Sequence, residues 1–143
     1  MNQEILQGEI PEAIIRFVGQ HHVLTLATTD QEGLWCANCF YACNKKSGAL
    51  IFTSSPETRH AKAMVAQPKV AASILLETRI VGRIRGLQIS GEVRPADEEN
   101  RRLYLKRFPY TALADLHLWQ LEPHELKLTD NTLGFGKKLI WRR

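Results

Sequence analysis

The amino-acid sequence predicts a mainly β (α+β) fold, a six- or seven-stranded antiparallel barrel with short helices, formed by residues 1–143 as one domain. Three observations carry that expectation. Short runs rich in β-branched and apolar residues follow one another with only polar turns between them, as antiparallel neighbours do. The long alternating run over residues 80–94 holds Gly82, Gly86 and Gly91, and glycines inside a strand mark bulges or bends that let a sheet curl closed. Helical periodicity is confined to short stretches.

The elements are justified in chain order. Ile10, Ile14, Phe17 and Val18 recur at helical spacing, which predicts an amphipathic helix over residues 11–20 with Pro11 in its first turn. Residues 22–29 alternate and are rich in Val, Leu and Thr, the pattern of a strand. A turn at 30–33, a strand over 34–43, a turn at 44–48 and a strand over 49–53 complete a meander. The polar turn 54–57 leads into a short helix from Thr58 to about Gln67, then a strand over 70–76. After the run at 80–94, Asp97 is the expected N-cap of a helix from Glu98 to about Phe108. Two separate strands are predicted around 116–121 and 125–129, and a last one over 137–141.

An apolar content of 44% supports a buried core, and a charged content of 24% is that of an ordinary folded domain. No apolar run approaches the ~20 residues that a membrane helix needs. The opening MNQEILQGEIPEAI carries acids rather than a basic leader, so no signal peptide is expected and the cytoplasm is the expected compartment. The net charge is +4, and Lys137, Lys138, Arg142 and Arg143 supply four of the cations. The other basic residues are interspersed with acids and no nucleic-acid motif is present, which argues against a nucleic-acid partner.

Cys36, Cys39 and Cys43 are odd in number, which points to reduced thiols. Cys36-x-x-Cys39 has the spacing of a zinc or redox half-site. On a strand, however, positions three apart face opposite sides, and no second pair completes the set. Small buried hydrophobes are the favoured reading. His21, His22, His60, His117 and His124 form no recognisable metal set.

The strand, turn and helix at residues 49–67 carry the strongest functional signal. Thr53, Ser54, Thr58, Arg59, His60 and Lys62 gather where the strand ends and the helix begins. A helix N-terminus presents unpaired amides with partial positive charge, and cations beside it point to a phosphate. Arg59 suits a bidentate phosphate contact. His60 reads equally well as a capping or solvated histidine, and Lys62 as a solvated lysine. Asn38 joins the candidates because a polar residue on a strand face is costly to bury without partners. Arg83 and Arg85 are placed on one strand face, against water or a partner subunit, with Arg85 as a reserve cation for the phosphate. No spacing selects a catalytic set among Ser54, Ser55, His60 and Asp130. In the segment 130–138, two glycines flank Phe135. That backbone could approach a ligand closely, or form a plain loop with an Asx-turn at Asn131.

The hydroxyls at the strand end, Thr58-Arg59-His60-Ala61-Lys62, and Gln67-Pro68-Lys69-Val70 leading into a strand resemble the pyridoxamine 5′-phosphate oxidase-like split β-barrels. So does Gln88-Ile89-Ser90-Gly91-Glu92-Val93 ahead of a helix. Leu34-Trp35-Cys36-Ala37-Asn38, Ile84-Arg85-Gly86 and the run from Thr129 through Gly134-Phe135-Gly136 to Lys138 more closely resemble the small bacterial YhbP proteins of that superfamily. The resemblance covers nearly the whole chain. It implies a homodimer with two FMN sites in the crevices between subunits. The phosphate would be held by a Ser-Arg-Lys-like triplet, matched here by Thr58, Arg59 and His60. Thr53 and Ser54 match the contributing strand end, and Ala37 and Asn38 the preceding strand. Trp141 is expected at the dimer interface, or over the flavin ring. The expected lysine is His60, which is neutral for much of the time at pH 7. The long basic tail of the oxidases has no match either, so oxidation of pyridoxamine phosphate is not expected.

Three functions compete. One is an FMN-dependent oxidoreductase acting on an unknown small substrate, with the flavin carrying the electrons. Another is a non-catalytic module that holds FMN, haem or another anion. The last is a cofactor-free interaction protein. Fold alone does not choose among them.

Overall fold

The computed structural model of the chain describes residues 4–114, 116–134 and 137–143. In order these form β1 (Ile5–Leu6), α1 (Glu12–Gln20), β2 (Val23–Asp30), β3 (Gly33–Cys43), β4 (Leu50–Thr53), α2 (Arg59–Ala66), β5 (Lys69–Leu75), β6 (Arg85–Pro95), α3 (Glu98–Arg107), β7 (Leu118–Asp130) and β8 (Lys138–Arg142). Short 3-10 turns lie at Val81–Arg83, Pro109–Leu113 and Asn131–Leu133. Strands β7, β4, β3, β2, β5 and β6 pair in that order, and β6 returns to β7, closing an antiparallel barrel of six strands. β8 adds antiparallel to β7, and β1 runs parallel to β8.

Alternation along the strands fills the barrel. Leu24 and Leu26 of β2, Cys39 and Tyr41 of β3, and Leu87 and Ile89 of β6 all point inward and are buried. α1 adds Ile14, Phe17 and Val18 to that core, and α2 adds Ala61 and Met64. The Tyr41 hydroxyl donates to the Val18 carbonyl at 2.7 Å, tying β3 to α1. Helix α3 packs on β3 and β4, where Tyr104 joins Ala42, Ile51 and Leu118 in a second small cluster. It is pinned by buried amides. Asn44 Nδ2 donates to Asn100 Oδ1 at 2.9 Å, and Asn100 Nδ2 donates to Gln120 Oε1 at 2.8 Å. Asp97 caps α3 as expected, accepting from the Asn100 amide at 2.9 Å.

Several expectations need correction. The two strands expected at 116–121 and 125–129 are one 13-residue strand, β7. Pro123 does not end it, because the register shifts between Ser90 and Gly91 just where Pro123 lies opposite. A bulge is one place where a strand tolerates the missing amide hydrogen. Gly91 is needed there, since a Cβ on it would meet the Glu122 carbonyl oxygen at 2.1 Å. The long run at 80–94 is strand only from Arg85, and Gly82 sits in a 3-10 turn. Arg83 therefore does not share a strand face with Arg85. Trp141 serves neither a dimer interface nor a flavin ring. It is 3% exposed, within this chain's own core, and its Nε1 donates to the Gly8 carbonyl at 3.0 Å. Asp130 makes an Asx-type turn just ahead of Asn131, its Oδ1 accepting from the Thr132 amide at 2.9 Å. Phe135 and Gly136, singled out as a ligand-approaching backbone, lie outside the described residues. Among the described residues no helix is long and apolar enough to cross a membrane.

Candidate functional site

Helix α2 starts at Arg59 because Thr58 is extended and caps it: the Thr58 Oγ1 accepts from the Ala61 amide at 3.3 Å. The same hydroxyl donates to the Ser55 carbonyl at 2.8 Å, which fixes the turn before the helix. The amides of Arg59 and His60 open the helix with no intrahelical acceptor. Ser54 ends β4 facing inward. Its Oγ lies 2.7 Å from His60 Nε2 and 3.9 Å from the buried Cys39 thiol. Burial holds the His60 imidazole below its ordinary pKa, so it is neutral at pH 7. The cation expected from a lysine at this position is therefore absent. Burial also raises the Cys39 thiol, which is an inert core group.

Arg59 is committed to a partner that the sequence did not reveal. Its Nε donates to Asp30 Oδ2 at 2.8 Å and its Nη2 to Asp30 Oδ1 at 3.2 Å, with Glu32 Oε2 3.9 Å away. Those hydrogen bonds hold the Asp30 carboxyl below its ordinary range and raise the guanidinium further. The guanidinium carbon lies 4.4 Å from the ring centroid of Trp35, which is 46% exposed. This is a cation–π stack on the last turn of the β2–β3 hairpin. Two N–H groups of Arg59 go to Asp30, and Nη2 also faces Glu32 Oε2.

The seven candidates do not form one cluster. Ser54, Thr58 and His60 meet at the start of α2. Arg59 and Lys62 line a groove of about 790 Å³ between α2 and the β2–β3 turn, together with Asp30, Glu32 and Glu57. Three acids face two cations there, so the groove itself does not favour an anion. Thr53 donates from its hydroxyl to the His117 carbonyl at 3.1 Å. Asn38 is exposed on the outer face of β3, where its Oδ1 accepts from the Thr25 hydroxyl at 2.7 Å. Arg85, the reserve cation, lines a different cavity at the α1 end of the barrel. Among the described residues no group of three or more His, Cys, Asp or Glu is placed to hold a metal. Cys36, Cys39 and Cys43 are all free, with Cys36 exposed rather than buried.

Against this geometry, the family model described as pyridoxamine 5′-phosphate oxidase matches residues 10–130. The chain belongs to that family. Within it, a UPF0306 protein of Photorhabdus laumondii subsp. laumondii is 41% identical over 136 residues, covering 92% of this chain and 95% of the relative. This bears out the resemblance to the YhbP-type branch. Solved structures of the same fold include a heme binding protein from Mycobacterium smegmatis, with a TM-score of 0.73 at 19% identity. That match covers 92% of this chain and 57% of the other. A FAD-binding protein from Mesorhizobium loti superposes with a TM-score of 0.68 at 13% identity, over 85% of this chain and 96% of that one.

The contacts of Arg59 single out Asp30 and Trp35, neither of which was among the candidates for the pyridoxamine 5′-phosphate oxidase-like site. Trp35 was legible only as part of a motif. Asp30 lay in an apparent turn, and its role depends on the β2–β3 register, which pairs it with Gly33 and carries it beside α2.

Proposed function

We propose that this protein binds FMN, with the phosphate at the start of α2 and the flavin ring against the outer sheet face beside it. The observation that carries the reading is the patch formed by Arg59, Trp35 and the opening of α2. There a cation stacked on an exposed indole adjoins two helix amides that lack intrahelical acceptors. Thr58, Arg59 and His60 would hold the phosphate through a hydroxyl, a guanidinium and a neutral imidazole, with Thr53 and Ser54 at the strand end. Asp30 orients the guanidinium, and a phosphate would share Arg59 with it or displace it. That pair is partly buried and doubly hydrogen-bonded, so a phosphate that displaces Asp30 must replace both bonds. Lys62 would add long-range attraction only. The family and the flavin- and haem-binding words attached to its structural neighbours support a cofactor of this kind.

FMN, when bound, supplies electron-transfer chemistry. The chain's contribution is to grip the phosphate, orient the ring and limit access. The same reading makes the protein a homodimer. The outer face of β2, β3 and β5 carries Thr25, Ala27, Cys36, Asn38, Ala71 and Ser73, all small or uncharged. It is flanked by Leu34 at 82% and Phe40 at 60% exposure. A second copy covering that face would complete a crevice that one chain leaves open. Three free thiols, one of them exposed, fit the cytoplasm.

The test is an absorption spectrum of the purified protein, followed by an FMN titration. Wild type should bind FMN, and Arg59→Ala should weaken it roughly ten- to a hundredfold by removing a charge-assisted hydrogen bond. Asp30→Asn should tighten binding a few-fold by releasing the guanidinium. Equal affinity in wild type and Arg59→Ala, or no FMN binding at all, overturns the reading. A Soret band instead identifies a haem module. Anaerobic reduction of the loaded protein by NADH or NADPH separates an oxidoreductase from a carrier.

A further inference from the structure

A second cavity lies at the opposite face of the barrel interior, under α1. We propose that it binds a small carboxylate with an apolar body, independently of the α2 site. The cavity measures about 300 Å³, and its apolar floor is Phe17 of α1, Leu128 of β7 and Leu139 of β8. Its walls carry Arg16, Arg85, Lys137 and Lys138. Arg16 is paired with Glu12 of its own helix at 3.1 Å. No described acid is paired with Arg85, Lys137 or Lys138. The one acid in the lining is Asp130, and its Oδ1 already accepts from the amide and the hydroxyl of Thr132.

The decisive atom is Arg85 Nε, which is buried and has no hydrogen-bond partner. A buried guanidinium N–H without an acceptor is costly, and Arg85 also lines the cavity, so a carboxylate bound there would meet the fork once the side chain turns to present Nε. His21 lies nearby, although it lines a different cavity. Its ring packs on Phe17 with centroids 4.4 Å apart, and its Nε2 is likewise buried and unpartnered. Burial first, and the positive charge of Arg85 second, hold His21 below its ordinary pKa. An anion with a flat or branched apolar body would place its charge on Arg85 and its body on Phe17, Leu128 and Leu139. Such pairing of an apolar wall with one or two fixed polar groups is how small-ligand sites are built.

The inference also gives work to the segment 130–138. Its start is tied to the 3-10 turn that precedes β6: the Asn131 amide donates to the Ile84 carbonyl at 2.9 Å, and Asn131 Nδ2 donates to the Val81 carbonyl at 3.0 Å. The Asp130 amide donates to the Lys137 carbonyl at 3.0 Å, which sets the two lysines beside the cavity. The cavity shares no lining residue with the groove at α2.

The test is a titration of the ¹⁵N-labelled protein with benzoate, with benzamidine and inorganic phosphate in parallel. Benzoate should shift the Arg85 Nε–H signal and the Phe17 and Leu139 amides saturably. Benzamidine, of similar shape and opposite charge, should not. Phosphate, which lacks the apolar body, should bind at least tenfold more weakly. Arg85→Gln should weaken benzoate at least tenfold, Lys138→Gln several-fold, and Arg59→Ala not at all. The Lys138 variant, at an exposed position, decides the matter if Arg85→Gln does not fold. The proposal is overturned if benzoate causes no saturable shift at these signals or if benzamidine binds equally well. Phosphate matching benzoate would overturn it too, as would full affinity in Arg85→Gln, or in Lys138→Gln where the first variant cannot be studied.

Discussion

His60 shows how one side chain's surroundings decide what it can do. A lysine at this position would be a fixed cation at the start of α2. The histidine is instead held neutral by burial, with its Nε2 bonded to Ser54. Its folded pKa lies below the unfolded value of about 6.5, so the unfolded chain takes up the proton first. The stability that depends on neutral His60 is complete above about pH 6.5 and is lost as the pH falls through that value. His21, also lowered by burial, has the same sign. Urea midpoints measured between about pH 7.5 and 5 should fall for the wild type. His60→Gln should flatten that slope in part, and His21→Gln in another part. A wild-type midpoint that does not move across this window would show that neither imidazole is held neutral by the fold. Arg59 lies at the other extreme. Its partner Asp30 is 29 residues away in sequence and holds the guanidinium in place for as long as its own carboxyl, kept below the ordinary range by the pair, stays ionised.

The strands and helices show which parts of the architecture local sequence can encode. The meander, the Asp97 N-cap and the span of α3 were readable, because alternation, capping side chains and turn residues act within a few positions. β7 was not. Pro123 looks like a strand end until its partner strand is known, and only the β6 register turns it into a bulge position. β1, at two residues, is too short to carry any periodicity. The same limit hid Asp30 from the candidate site, since strand pairing rather than sequence spacing brings it to Arg59. The bulge offers a direct measurement. A methyl group on Gly91 would meet the Glu122 carbonyl oxygen at 2.1 Å and carbon at 3.0 Å, both backbone atoms that cannot step aside. Gly91→Ala should therefore cost about 1–3 kcal/mol by overpacking. Gly86→Ala, whose nearest atoms would be at 3.6 and 3.7 Å, should cost markedly less. Chemical denaturation of both variants checks the order, and equal midpoints would mean that β6 and β7 can separate at the bulge without penalty.

For the molecule as a whole, the question is what covers the outer sheet. Across β3, β2, β5 and β6, the outward residues run Asn38, Thr25, Ser73, Gln88 in one row and Cys36, Ala27, Ala71, Ser90 in the next. None is charged, and most are small, so the surface is flat and cheap to desolvate. Large apolar side chains stand at its margins: Leu34, Phe40 and Leu75. An uncharged face of small side chains rimmed by exposed apolar ones is suited to be an interaction face. Because the face carries no net charge of its own, a second copy meets it without repulsion about a two-fold axis. Asn38 would then sit in a closed crevice rather than on an open surface, which links assembly to ligand binding. Leu34→Glu with Phe40→Glu places a charge at each margin while leaving the core untouched. Wild type should sediment as a dimer at micromolar concentration. The double variant should sediment as a folded monomer with an unchanged circular dichroism spectrum, and FMN affinity should fall although Arg59 and Thr58 are intact. A monomeric wild type would remove the crevice. A monomeric double variant that keeps full FMN affinity would place the whole cofactor site within one chain, at α2 alone.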